Sequence, residues 1–315
     1  MNRDQVIKIA MVVCVVILLC AVIITSTGMF GGMGIGGYAN AENYTAGDTE
    51  ISGEVKNLDI SWTSGRVKIA YHAENTVTLQ ETAKRGLSDD EKLQWWLGGD
   101  TLRVHFAKPG LRWNMPEKEL TVTLPEGMTL DRADLQTTSA DIEIPEIRTE
   151  ILMLGSTSGD IRVAAEAKHV EAASTSGDQD IRVTGELNEL RLNSTSGDIG
   201  AEADTVKIVD IGSTSGSIGI AAADGETVKA GSTSGNITVS LKAMKSLEAD
   251  ATSGNVTAAL PAEPGFTAEV STTSGDFTYD LALTRSGDRY VCGDGSGTVS
   301  IGTTSGDVRI SAAEK

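Results

Sequence analysis

The chain has 315 residues and a formal net charge of −18 at pH 7. This acidity excludes nucleic acid as an expected partner, because phosphate recognition needs clustered Lys and Arg. The three cysteines do not form a disulfide or zinc pattern, and the three histidines are too scattered to predict a metal or catalytic cluster. We therefore expect no enzyme activity, no catalytic residues, no cofactor and no small-molecule substrate.

The N-terminus contains an apolar run, IAMVVCVVILLCAVII, at residues 9–24. With the weakly polar residues that follow, residues 9–30 are long enough to cross a bilayer as one helix. Arg3 and Lys8 precede this run, and no further Lys or Arg occurs before Lys56. By the positive-inside rule, the cytoplasmic tail is residues 1–8 and the rest of the chain lies outside the cell membrane.

Two other interpretations of this segment stay open. A cleaved signal peptide would need a site near the run, and Ala39-Asn40-Ala41 has the required small residues but lies well beyond it. A lipoprotein signal would need a small residue before Cys20, where Leu19 stands. We favour an uncleaved signal anchor, followed by a Gly-rich linker over residues 31–50.

The strongest internal signal is the tripeptide Thr-Ser-Gly, which recurs about every 19 residues. Its glycine stands at positions 65, 159, 177, 197, 216, 235, 254, 275 and 306, and Ala140 replaces it in a tenth copy. Repetition at a fixed period is typical of stacked repeat architectures.

Aligned on the glycine, the copies share apolar residues seven and five positions before it and two and four positions after it, as at Ile218 and Ile220. Alternation predicts two short strands per coil, joined by a Ser-Gly-Asp turn in which glycine adopts positive φ. One copy contains two extra residues, Gln179 and Asp180, which shift its apolar pair to Ile181 and Val183.

One coil cannot bury so thin an apolar row, whereas stacked coils can. We therefore predict an all-β fold: a β-solenoid, a β-helix-like stack of coils, over residues 131–311, preceded by a less regular β cap region over residues 51–130 and one transmembrane helix. A β-sandwich is the alternative, which the nearly constant period disfavours. The serine directly before each glycine is expected to face the core and to bond between coils; these residues include Ser158, Ser176, Ser196, Ser215 and Ser234.

The cap region has less regular patterns. The sequence predicts strands at residues 51–58, 67–71, 76–82, 101–106 and 120–124. The segment SDDEKLQWWL predicts a short helix over residues 88–97, with Ser88 as N-cap and Glu91 at the capping-box position. Trp95, Trp96 and Trp113 are interpreted as a cap on the open end of the stack, or alternatively as an aromatic ligand cluster.

Four segments in order carry a family resemblance. They are LDISWTSGRVKI at residues 58–69, LRVHF at 102–106 with LTVTLPEG at 120–127, the Ser-Gly-Asp-Ile coils, and GDGSG at 293–297 leading to TSGDVRI at 304–310. Together they resemble the bacterial putative-adhesin family, an envelope β-solenoid domain of unknown function. The resemblance covers roughly residues 50–311 and implies no catalytic residues.

Two rows of residues are candidate binding positions. The acidic residue after the glycine would align between coils and is a candidate calcium ligand; these residues are Asp141, Asp160, Asp178, Asp198, Asp276 and Asp307. The threonine two positions before the glycine is expected to face outward; this row includes Thr157, Thr175, Thr195, Thr214, Thr233 and Thr252. The threonine row is interpreted as a strand-stabilising ladder, a glycan- or wall-binding face, or an ice-binding face.

Proximity in sequence gives only one possible cluster for catalysis, His105, Arg112, Glu117 and Glu119, and nothing else supports it. We therefore expect a non-catalytic, membrane-anchored extracellular protein of the cell envelope with an adhesin-like or scaffold role. Its expected partners are the membrane, through the N-terminal helix, and a cell-wall polymer, glycan or envelope protein. The alternative is an accessory component of envelope-stress sensing that acts through a membrane partner.

Overall fold

The computed structural model describes residues 38–110 and 115–313, which form two compact units that divide after Gly177. The predicted tail, the transmembrane helix and the start of the linker lie outside the described residues, as does Trp113. None of the helical structure in the described ranges is long and apolar enough to span a membrane.

The secondary structure of the described part of the unit that ends at Gly177 consists of β-strands and one short 3-10 helix, Ala41–Asn43. Its strands are β1 Thr45–Ala46, β2 Thr49–Ile51, β3 Asn57–His72, β4 Val77–Ala83, β5 Gln94–Gly98, β6 Thr101–His105, β7 Lys118–Pro125, β8 Leu130–Ile144, β9 Arg148–Ser156 and β10 Ile161–Ser174. β1 and the first two residues of β2 fall within the predicted linker, residues 31–50.

Parallel pairing stacks the coils of this unit. β3 pairs along one edge with β8, and β8 pairs with β9 and with the start of β10. Along its other edge β3 pairs with β6 and β7, which together form the outermost coil. β5 and β4 then cover β6 and β7 in antiparallel fashion. The first long strand in the sequence is therefore the second coil of the stack.

The unit that begins at Asp178 contains strands only among its described residues. They are β11 Gln179–Ser194, β12 Ile199–Ser213, β13 Ile218–Ser232, β14 Ile237–Leu241, β15 Met244–Ser253, β16 Val256–Leu260, β17 Gly265–Ser274, β18 Phe277–Tyr279, β19 Thr284–Ser286, β20 Arg289–Gly293, β21 Gly297–Ser305 and β22 Val308–Ala312. β11 to β16 stack in sequence order through parallel pairs.

The order changes at the end of this unit. β15 and β16 pair with β21 and β22, and not with the strands that follow them in sequence. β17 and β18 pair with the opposite edge of β21 and β22 and form the outermost coil. The last coil in the sequence is thus inserted between two earlier ones, which the sequence pattern did not predict.

The predicted core rows are confirmed. In the coil around Gly216, Val209, Ile211, Ile218 and Ile220 are all at most 4% exposed. Burying such side chains contributes about 1.5–3 kcal/mol each relative to exposure. The all-β fold of stacked parallel strands follows from these rows, because each coil covers the apolar edge of its neighbour.

The prediction of two short strands per coil holds only in part: β14 and β15 are two strands of one coil, whereas β12 runs without interruption from one Ser-Gly turn to the next. The prediction for the copy with extra residues was wrong. Gln179 is not an insertion but fills the inward position opposite Ile199, and the extra residue forms a bulge at Thr184 and Gly185 opposite Asp204. The bulge absorbs the extra length without moving the core rows.

The predicted helix over residues 88–97 is also wrong. The capping bonds form, since the Glu91 carboxylate accepts the Ser88 N–H at 2.9 Å, but they close a single turn. The chain then enters β5, whose Trp95 and Trp96 pair with Val104 and Arg103 of β6. Tertiary pairing with the outer coil overrides the local helix signal.

Candidate functional site

The Thr-Ser-Gly bend is where equivalent coils approach each other most closely. A Cβ atom placed on Gly216 would overlap the carbonyl oxygen of Gly197, and one on Gly235 would overlap that of Gly216. These two glycines do not have positive φ, contrary to the sequence prediction, whereas Gly65, Gly275 and Gly306 do. Glycine is needed here because the neighbouring backbone occupies the space of a side chain. Where Ala140 replaces glycine, β8 runs straight through the position without a bend.

Of the two hydroxyl positions before the glycine that were expected to face the core, only the one three residues before it does so. The serine three positions before the glycine is buried, as at Ser194, Ser213 and Ser232. Each of these three hydroxyls accepts the N–H of the glycine in its own coil at 2.8 Å. This bond closes the bend locally, as Ser side chains often do in turns, and the Ser232 hydroxyl also donates to the Gly216 carbonyl oxygen of the neighbouring coil at 3.4 Å.

The serine directly before the glycine faces solvent, so the prediction of an inward row at this position was wrong. Ser158, Ser176, Ser196, Ser215 and Ser234 are all exposed. Their backbone N–H groups hold the coils together, as where Ser215 donates to the Thr195 carbonyl oxygen at 2.9 Å. The strict alternation of a strand ends where the chain bends, so the exposed position moves by one residue.

The predicted outward threonine row is only half-exposed. It consists of Thr157 and Thr175 in one unit and of Thr195, Thr214, Thr233 and Thr252 in the other. The hydroxyl oxygen of Thr233 is buried and has no hydrogen-bond partner in the described structure. In each unit the surface at the bends is therefore formed jointly by half-buried threonines and exposed serines, and we call it the Thr-Ser face.

The acidic row is a ladder of side-chain to backbone hydrogen bonds. Asp141 accepts the N–H of Asp160 at 3.0 Å, and Asp178 accepts that of Asp198 at 2.9 Å. Asp198 in turn accepts the N–H of Ser217 at 2.7 Å, and Asp307 accepts that of Asp276 at 2.9 Å.

Asparagine serves equally well in this ladder. Asn236 accepts the N–H of Asn255 at 2.9 Å, and Asn255 accepts that of Asp307 at 2.8 Å. The shared requirement is an acceptor oxygen and not a negative charge, which gives the calcium candidates a structural role. Across the described ranges, no three His, Cys, Asp or Glu side chains lie close enough together to hold a metal ion.

A buried ion pair that the sequence interpretation missed lies under the outer coil β6–β7. The Lys118 Nζ lies 2.8 Å from Glu81 Oε2, with side chains 0% and 5% exposed. It also donates to the carbonyl oxygens of Glu91 and Phe106 and lies 5.0 Å from the centre of the Trp62 ring. Burial lowers the pKa of Lys118, and Glu81 opposes that shift. The signal was a lysine on the inward face of the pattern Lys-x-Leu-x-Val-x-Leu at residues 118–124.

An aromatic cluster surrounds His105 in the same unit. Tyr38 stacks on the imidazole at 4.0 Å, and the Tyr44 hydroxyl lies 3.2 Å from its Nε2. Burial lowers the pKa of His105 to about 4, with a smaller contribution from Arg103, which also lies 5.0 Å from the Trp96 ring centre. Burial raises the pKa values of Tyr38 and Tyr44 to about 12. These groups are uncharged near neutral pH and form a packed surface.

The cluster considered for catalysis does not form among the described residues. His105 packs between the two tyrosines, while Glu119 pairs with Lys68 at 3.2 Å and Glu117 with Lys84 at 3.5 Å. Arg112 lies outside the described residues. A shallow groove of about 210 Å³ crosses β11 to β14, with a floor of alanines between Arg182 and Lys242, and no member of the Thr-Ser face lines it.

The comparisons with known proteins agree with this architecture. The model of the Toastrack DUF4097 family matches residues 55–311. No curated protein matches the chain significantly.

Several solved structures are similar over most of the chain. A "putative lipid binding protein" from Parabacteroides distasonis shares 16% identity, with a TM-score of 0.45 and 85% of this chain and 96% of that chain covered. A "putative adhesin" from Bacteroides fragilis shares 14% identity, with a TM-score of 0.37 and the same coverage. A "putative cell adhesion protein" from Clostridium sporogenes shares 12% identity, with a TM-score of 0.22 and 85% and 100% covered.

At these identities and TM-scores the solved structures support no inference about function. The family model spans four fifths of the chain, including both outer coils and every copy of the bend. The chain belongs to the Toastrack DUF4097 family.

Proposed function

We propose that this chain is a non-catalytic binding protein of the cell envelope, anchored by its N-terminal segment with the stacked coils outside the cytoplasm. The observation that supports this is the Thr-Ser face, which repeats the same small hydroxyl side chains at bend after bend. Coils in such a stack follow one another at about 4.8 Å. A surface with so short a repeat suits an extended polymer better than a compact ligand.

The negative charges beside the Thr-Ser face indicate which class of polymer would bind there. Exposed carboxylates of Asp178 and Asp198 follow the glycines directly. An anionic polymer would be repelled by these groups, so a neutral cell-wall polysaccharide is the proposed ligand. Binding through the face would provide adhesion or attach the membrane to the wall.

The test is co-sedimentation of the full-length chain, in detergent micelles, with insoluble neutral cell-wall polysaccharide. The double variant Ser215→Lys/Ser234→Lys places two long side chains on the face and is expected to lose binding. The control Thr205→Lys/Thr238→Lys adds the same charge at exposed positions away from the bends and should bind like wild type.

Two results would contradict the proposal: no binding by the wild-type chain, or equal loss in both double variants. Recovery of one specific integral-membrane protein by crosslinking, without polymer binding, would instead favour the role in envelope-stress sensing.

A further inference from the structure

The outermost coil β17–β18 leaves core positions of the repeat uncovered. Tyr279 occupies the position four residues after the glycine and is 47% exposed. The equivalent residues Ile220, Val239 and Ile310 are at most 4% exposed. Val270 and Phe277 are likewise half-exposed at positions that are buried in the coils of β12, β13 and β21–β22. At these positions the apolar row of the stack has no cover, whereas Phe266 and Ala268 of the same coil are buried.

The main chain of this coil has a free edge. β17 and β18 pair on one side with β21 and β22, while on the other side β20 covers only Gly265–Glu269. No strand in the described ranges pairs with the outer side of residues 270–279.

The direction of the free main-chain groups follows from the bonds that β18 makes. The Asp276 carbonyl oxygen accepts from Val308 and the Asp280 N–H donates to Ile310, so both face β22. By alternation the N–H and C=O groups of Phe277 and Tyr279 face away from it. An exposed edge of this kind is a template for another strand.

The side chains at this edge have the composition of an interface. Phe277, Tyr279 and Tyr290 form one cluster, with ring centres 4.9 to 6.0 Å apart. Isoleucine and valine fill the equivalent positions Ile218, Ile220, Ile237 and Val239 inside the stack. Aromatic residues at an exposed apolar surface are enriched in the centres of protein–protein contacts.

The charges around the cluster complement one another between two copies. Arg289 pairs with Glu269 at 2.6 Å and Arg309 with Asp280 at 3.3 Å. Arg285 has no carboxylate partner in the described structure; it lies 6.0 Å from the Tyr290 ring centre. The carboxylates of Asp276 and Asp288 likewise have no cationic partner there. The same surface thus carries an unpaired cation and unpaired anions.

We propose that two copies of this chain associate through this edge, with β18 of one copy pairing antiparallel with β18 of the other about a two-fold axis. An antiparallel strand edge is self-complementary, because each residue exchanges main-chain hydrogen bonds with its symmetry mate. The aromatic clusters then cover each other, and Arg285 of each copy faces the unpaired carboxylates of its partner. A second copy thus provides hydrogen-bond partners for the free main-chain groups, covers the exposed apolar side chains and pairs the unpaired charges.

Thiol crosslinking of the full-length chain in its membrane tests this contact. Tyr279→Cys and Ile208→Cys are matched variants, because both side chains are 47% exposed and Ile208 lies in β12, inside the stack. The wild-type chain, with Cys14, Cys20 and Cys292, gives the background. With a short bifunctional thiol reagent, Tyr279→Cys is expected to give a product of twice the chain mass, several-fold above both Ile208→Cys and wild type.

Equal crosslinking of the two variants, or none above background, would overturn the proposal. A Tyr279→Cys product that contains a different protein would overturn it too, because the edge would then have another occupant. As a second measurement, the mass of the full-length chain in detergent should be that of a dimer for wild type and Ile208→Lys and that of a monomer for Tyr279→Lys. A monomeric wild type would contradict the contact.

Discussion

The outer coil β6–β7 of one unit and the outer coil β17–β18 of the other have the same place in the strand order, but other strands cover them to different extents. Each lies outside the coil that is terminal in the sequence, β3 in one case and β21–β22 in the other. β4 and β5 cover the first, and its Leu102, Val104, Leu120 and Val122 are 0% exposed. The second is covered only along Gly265–Glu269, by β20, and its Tyr279 is 47% exposed.

This difference shows that a cover is not needed to set the order of the coils. Only the outer coil with β4 and β5 has its apolar row covered along its whole length, as terminal repeats of soluble arrays usually do. An outer coil that keeps large aromatic side chains outside the part that β20 covers is more consistent with a contact surface than with a cap.

The largest effect is expected from breaking the covered end. Lys118→Met leaves Glu81 buried without its cation, which should reduce the free energy of unfolding by about 3–5 kcal/mol. The control Lys84→Met removes an exposed partner of Glu117, where the two side chains are 89% and 70% exposed, and should cost less than about 1 kcal/mol. Denaturant unfolding of the full-length chain measures both. Equal losses would show that the buried pair does not hold the cover in place.

The covered end should also make stability depend on pH. His105 has a pKa of about 4 in the folded chain and an ordinary value of 6.5, so the unfolded chain binds the proton more readily. Stability is then complete above about pH 6.5 and falls as the pH decreases toward 4, by roughly 2–3 kcal/mol. His105→Gln should remove most of this slope in unfolding experiments at several pH values. An unchanged slope would assign the dependence to other groups.

Within the unit that begins at Asp178, the bend should be sensitive to a single added methyl group. Gly216→Ala places its Cβ against the Gly197 carbonyl oxygen and should cost about 1–3 kcal/mol of folding free energy. At Gly219, three residues later, the added Cβ would lie 3.8 Å from the Ile199 oxygen, and Gly219→Ala should change the stability by less than about 0.5 kcal/mol. Thermal unfolding of both variants compares them. Similar shifts would mean that the coils can separate at the bend without cost.

The sequence predicted the coils because a period of about 19 residues and two apolar pairs per copy are properties of each coil alone. It did not predict the end order, because the alternating patterns of β6, β7, β17 and β18 are the same whichever edge they pair with. The serine directly before the glycine was predicted to face the core because the inward–outward alternation of a strand was assumed to continue through the bend. The burial of Lys118 could have been predicted, since it stands on the apolar face of its strand.

The acidic ladder should respond to loss of an acceptor and not to calcium. Asp198→Ala leaves the Ser217 N–H without its partner and should cost about 1 kcal/mol. Asp198→Asn keeps an acceptor oxygen, as Asn236 does, and should stay near wild type. Melting curves with calcium or with a chelator should coincide for the wild-type chain. A calcium-dependent rise in melting temperature that Asp198→Asn abolishes would restore the row as a metal site.

The smallest effect on stability is expected at the outer coil β17–β18, where the same substitution can be compared with one at the equivalent position inside the stack. Tyr279→Lys keeps the strand position and places an ammonium group in solvent, so the monomeric chain should lose less than about 0.5 kcal/mol. Ile220→Lys makes the same change at the same repeat position inside the stack, where the side chain is 4% exposed, and buries an unpaired charge. That variant should fail to form its coils, as circular dichroism and limited proteolysis would show. If Tyr279→Lys destabilised the chain as much as Ile220→Lys, the aromatic cluster would be part of the core of its own chain. If Tyr279→Lys leaves the stability unchanged, the aromatic residue at this position is explained by contact with another surface.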